Sequence, residues 1–207
     1  MEWLTQALRV RYAALRLAVG VFCIASLVLG QSAGMQPVDR DRLLAHYAMT
    51  EDWIRSEVAG LSKEQLAFRA AEDTWSIAEV LEHLAVAEPQ YWKQVQDSLN
   101  EPAPDPEKLP NDAAILWYGI DRSERNRTGR AREPQGQFGD AAKALASFLA
   151  LRAEMRSFYK NTGNDLRAHY LQQSTMSVYQ WALMISTHSQ RHILQIRAIK
   201  ASPRFPR

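Results

Sequence analysis

Long segments in which apolar side chains recur every three or four residues, with no strand-like alternation of useful length, most constrain what this chain can fold into. The clearest lies in "TWSIAEVLEHL" and its continuation, where Ile77, Val80, Leu81, Leu84, Ala87, Tyr91 and Trp92 share one helical face to about residue 98. Its start is well marked. Ser76 caps, Glu79 three residues on completes a capping box, and Trp75 and Val80 stand where a hydrophobic staple forms. Pro89 predicts a local bend within this helix.

The same rhythm predicts a helix near 38–59, through Leu43, Leu44, Tyr47, Ile54 and Val58, ended by Gly60. A third runs near 139–160 through Ala142, Leu145, Phe148, Leu149, Arg152, Met155 and Phe158, and a fourth covers about 176–200. "LSKEQL" reads as a turn or helical fragment, and a short helix is expected over 112–119. Between the second and third helices lies "NEPAPDPEKLPND", whose four prolines make it a connection. Burying four long stripes against one another predicts an all-α fold, a four-helix bundle with a long connection between helices two and three. The 207-residue chain, 46% hydrophobic, has material for such a core.

Residues 1–34 read as a separate segment. Arg9, Arg11 and Arg16 precede the uncharged run "LAVGVFCIASLVLG", and small residues follow in "GQSAG". This pattern predicts a signal peptide and export to the periplasm or beyond the cell, or a membrane anchor if the segment is retained. The folded domain is then 35–207, with 22 basic and 22 acidic residues. Only "DRSERNRTGRAR", residues 121–132, is locally basic, and it lacks interleaved aromatics, so no nucleic acid is expected as a partner. The one cysteine, Cys23, falls in the N-terminal segment, which excludes disulfides and a cysteine nucleophile from the domain.

Histidine is scarce, five in all, and two of them stand one turn apart in "WALMISTHSQRHILQIRAIK". His188 and His192 share a face and extend the stripe of Trp181, Met184, Ile185, Gln195 and Ile199. Alone the pair reads first as buried or groove-lining polar residues, and only second as half of a metal site. His83, between Val80 and Ala87 on the inward face of helix two, is the candidate third ligand. The zinc-protease motif is absent, because serine follows His188 where that motif has glutamate. Gln195, Glu88 and Trp181 are candidates for orienting a ligand or facing a substrate. Glu82 is expected to face solvent, Arg191 to serve the surface or a carboxylate, His46 to be a surface or groove residue of helix one, and His169 to lie in the approach to helix four.

At "TWSIAEVLEHLAVAE" and "DLRAHYLQQSTMSVYQWALMISTHSQRHILQI" the sequence resembles the DinB-like superfamily of bacterial helical proteins. The resemblance spans roughly 38–203 and departs at "QQSTM", where similar sequences carry a Pro/Gly turn. It implies a divalent-metal site on His83, His188 and His192, with Gln195 as a frequent companion. Zinc is the expected ion, and imidazole also suits nickel or iron. It implies a hydrolase or a thiol-S-transferase using a low-molecular-weight thiol such as bacillithiol or mycothiol, on a small-molecule substrate. The alternative is a non-catalytic metal-binding or structural bundle. An outer helical face leaves room for a homodimer.

Overall fold

In a computed structural model, residues 35–100, 109–124, 128–172 and 174–207 are described. The proposed signal or anchor, residues 1–34, lies outside them, so it gains no support here. Among the described residues no helix is long and apolar enough to cross a membrane.

Among the described residues six α-helices appear in this order: α1 (Pro37–Val58), α2 (Lys63–Ala67), α3 (Ile77–Asn100), α4 (Asp112–Tyr118), α5 (Ala141–Asn161) and α6 (Val178–Lys200). A 3-10 turn, Arg130–Arg132, sits in the crossing between α4 and α5. The expected four-helix bundle is therefore corrected to a six-helix assembly. The four long stripes are present, but two short helices pack onto them, α2 against α3 and α4 against α6. Helices this short carry too few turns for periodicity to separate them from loops, and local caps define them instead. Ser62 and Gln65 cap α2 reciprocally, and Asn111 Oδ1 accepts from the Ala113 N–H at 2.8 Å to start α4.

The capping box read from the sequence starts α3. The Ser76 N–H donates to Glu79 Oε2 at 2.8 Å, and the Glu79 N–H to Ser76 Oγ at 3.2 Å. The helix continues through Pro89 to Asn100. At the start of α6, Ser177 and Gln180 form a matching box. Gly119, just past α4, allows a close approach to α6. A Cβ there would lie 2.9 Å from Gln190 Oε1 and 3.0 Å from the Thr187 carbonyl.

The buried apolar side chains divide into two groups. One gathers Leu43, Tyr47, Trp92, Met155, Tyr159 and Leu183, and the other Ile54, Val80, Leu84, Phe148, Ile193 and Ile196. Each long helix contributes to both, and between them each contributes buried polar residues: Thr50 and Glu51, Glu88, Arg152, and Ser186 and Ser189. At the centre of this layer Arg152 grips Glu88 through two bonds of 2.6 Å, both side chains wholly buried. Ser189 Oγ donates to Glu88 Oε1 at 2.6 Å, and Arg152 Nη2 reaches the Ile185 carbonyl at 3.3 Å. The Tyr47 and Phe148 rings lie 4.3 and 5.0 Å from the guanidinium carbon. Burial works against the Arg152 charge, but the Glu88 carboxylate outweighs it and the guanidinium pKa is raised.

Glu82 does not face solvent. It is 8% exposed, and its Oε1 accepts the N–H groups of Gln135 and Gln137, each at 2.8 Å. This carboxylate ties the long crossing to α3, and the 3-10 turn packs on the same helix.

Removing one member of a buried, hydrogen-bonded ion pair strands its partner, at a cost of about 3–5 kcal/mol. Arg152→Met is therefore expected to lower the unfolding free energy in urea by about that amount, and Glu88→Leu/Arg152→Met to recover much of it. A loss below about 1 kcal/mol for the single variant would show that the pair does not hold the helices together.

Candidate metal centre

His83 projects from α3 and His188 and His192 from successive turns of α6, and the packing of these helices brings the three rings together. His188 Nε2 lies 3.2 Å from His83 Nε2 and 3.1 Å from His192 Nε2. One ligand atom from each residue falls within 4.8 Å of the other two. His83 is 2% and His188 9% exposed, while His192 is half-buried.

The outer nitrogens say which atoms face inward. His83 Nδ1 lies 2.7 Å from the Arg132 carbonyl, which only accepts, so the proton is on Nδ1 and the Nε2 lone pair is bare. His192 Nδ1 lies 2.9 Å from Gln195 Oε1, with the same consequence. His188 Nδ1 is buried without a hydrogen-bond partner. Two lone pairs thus point at His188 Nε2, and a single N–H there could satisfy only one of them. A divalent cation satisfies all three. Bonds of about 2.0–2.1 Å at tetrahedral angles would set the nitrogens about 3.4 Å apart, close to the 3.2 and 3.1 Å that separate His188 Nε2 from the other two. The residues present fit a three-histidine metal site with one position left over.

The rings are also held neutral, the form that ligates. Burial, then the neighbouring His83, lowers the His192 pKa to about 3. Burial, followed by His192 and His83, drives His188 well below the ordinary value, and burial lowers His83 as well.

A cavity of about 220 Å³ opens beside His188, lined also by Tyr91, Tyr118, Trp181, Met184 and Ile185. Tyr91 meets Trp181 edge-on at 5.4 Å and His188 at 5.5 Å. Trp181 lines this cavity, its indole N–H donating to the Tyr91 carbonyl at 3.3 Å.

The Arg152 ion pair takes Glu88 away from the histidines, so this candidate supports the centre only by holding α3 against α5 and α6. Gln195 orients His192. His46 stays apart, bridging α1 to α6 through Ser186 Oγ at 2.7 Å and Gln190 Oε1 at 3.1 Å. Arg191 binds the loop after α4, donating to the carbonyls of Tyr118, Asp121 and Glu124.

Two contributors escaped sequence reasoning. The Arg132 carbonyl orients His83, and a backbone acceptor has no residue signature. Trp75, expected as a staple, also covers the site, with its ring 4.9 Å from His83 and stacked 6.2 Å from His192. Its place eight residues before His83 was the available signal.

Comparison with known proteins agrees with this geometry. Residues 42–196 match the DinB superfamily, a span that includes all three histidines. The chain belongs to the DinB superfamily. Within it, the chain is 27% identical over 158 residues to the uncharacterized protein YuaE of Bacillus subtilis (strain 168), covering 74% of this chain and 93% of that protein. No solved structure matches the chain at a significant level. In this DinB-superfamily chain the clustered histidines are capable of coordinating a divalent metal.

Because the folded histidines resist protonation, the metal-free protein should weaken in acid. Above about pH 6.5 these side chains are neutral folded or unfolded; below it, the unfolded chain takes up protons that the folded site refuses. For His192 the loss continues down to its folded pKa of about 3, at about 1.4 kcal/mol per pH unit. Thermal unfolding of chelator-treated protein between pH 7 and 4 checks this. His192→Phe should flatten the fall, and an unchanged slope would show that His192 is not held neutral.

Proposed function

We propose that this chain is a divalent-metal-dependent enzyme, with zinc as the ion, acting on a small molecule held in the aromatic-lined cavity by hydrolysis or by transfer to a thiol. The observation that carries this reading is the convergence of three imidazoles, one of which, His188, lines a cavity. A purely structural metal would be closed in by side chains.

Each protein group has a distinct task. His83, His188 and His192 supply neutral donors, so no proton has to be displaced from Nε2 of His83 or His192 near neutral pH. The Arg132 carbonyl and Gln195 fix the planes of two rings, and Trp75 shields their outer faces. Tyr91, Trp181 and Met184 form the apolar wall that excludes water around a bound substrate. A zinc ion held there supplies Lewis-acid polarisation of a substrate oxygen or activation of a nucleophile.

The purified domain is expected to carry close to one zinc per chain by elemental analysis, and His188→Ala to lose most of it. Full occupancy in that variant would rule out this centre. Gln195→Leu should lower zinc affinity about 10–100-fold in a chelator competition, since it frees the His192 ring to rotate. Consumption of an electrophile only when a thiol is supplied would identify transfer, and ester or amide cleavage without thiol would identify hydrolysis.

A further inference from the structure

The cavity beside the histidines is apolar on nearly every side, and its polar features are unevenly charged. Tyr91 lines it, and the Tyr91 hydroxyl accepts a hydrogen bond from Arg132 Nη1 at 3.2 Å. A guanidinium has donors only, so the phenolic proton has no acceptor among the described residues. Arg132 Nε is also buried without a partner, and among the described residues no carboxylate pairs with this arginine. Glu88, one helical turn before Tyr91, is spent on Arg152. The Tyr91 hydroxyl therefore lacks an acceptor at the cavity wall, and the Arg132 guanidinium bound to it brings positive charge behind that point.

Arg132 ties this end to the metal centre. Its carbonyl accepts from His83 while its guanidinium holds Tyr91, so one residue serves both. An aromatic-lined cavity also suits an organic cation, but arginines already lie over these faces, Arg132 at 5.3 Å from the Tyr91 centroid and Arg191 at 5.0 Å from that of Tyr118. A cavity of about 150 Å³ accommodates benzene. The 220 Å³ here leaves room for one ring and a short polar arm.

Resting on the metal-centre reading, we propose that Tyr91 and Arg132 form an oxyanion-binding point, and that the site takes a one-ring or similarly flat apolar substrate bearing a carboxylate. The apolar body packs against Trp181 and Met184. The carboxylate receives the Tyr91 O–H, with Arg132 supplying the charge behind it.

The test titrates zinc-loaded protein calorimetrically with phenylacetate and with uncharged 2-phenylethanol, while zinc content is measured on the same samples. Phenylacetate should bind more tightly to the native protein. Because a bound cation by itself also favours a carboxylate, the variants decide. Tyr91→Phe and Arg132→Met are each expected to weaken phenylacetate about ten-fold or more, the loss of a charge-assisted bond. Both should leave zinc content unchanged and weaken 2-phenylethanol by much less than phenylacetate. Equal phenylacetate affinity in native protein and both variants, with zinc retained, overturns the oxyanion point and leaves the metal centre standing. Native protein that holds no zinc overturns the metal centre and this inference with it.

Discussion

The Glu88–Arg152 pair is the contact on which the remaining arrangement depends. It joins α3 to α5, and through Ser189 and the Ile185 carbonyl it joins both to α6. Around it, Thr50 Oγ1 meets Ser186 Oγ at 3.1 Å, and the Tyr47 hydroxyl donates to the Ala182 carbonyl at 3.0 Å, which adds α1. Apolar stripes slide over one another at modest cost, whereas a buried bidentate pair tolerates one register. That register sets His83 opposite His188 and His192. Ser189 is the immediate neighbour of His188, so the helix carrying the ligands is pinned beside them.

The metal centre is the second consequence of burial. Desolvation keeps the imidazoles unprotonated, and the Arg132 carbonyl and Gln195 turn two of them inward. Two bare lone pairs facing a third imidazole nitrogen form an arrangement that a cation relieves. The long crossing contributes through a backbone atom, and Glu82 holds that crossing in place by accepting two of its N–H groups. Parts of the chain that look like connection therefore shape the ligand set.

Legibility in the sequence varied with the range of the interaction. The capping box at Ser76 and Glu79 and the extents of the long helices follow from neighbours within four residues, and they stand as expected. The i, i+4 spacing of His188 and His192 likewise determined that their rings share a face. The helix count did not survive, because α2 and α4 are too short to show a stripe and are held by caps and by packing on α3 and α6. Glu82 was assigned to solvent from its angle to His83. The crossing that buries it is distant in sequence and left no mark in the helical pattern.

The amino-acid order alone determined an all-α fold, a helix bearing two histidines one turn apart and a third histidine on another inward face. These are local properties, written in spacing and caps. Tertiary structure decided that the three imidazoles meet, that Glu88 serves Arg152 rather than the centre, and that an aromatic cavity opens beside His188. Each of these depends on which helices touch and in what register. That register is set by buried charge and packing between residues 33 to 105 positions apart, a separation at which periodicity carries no information.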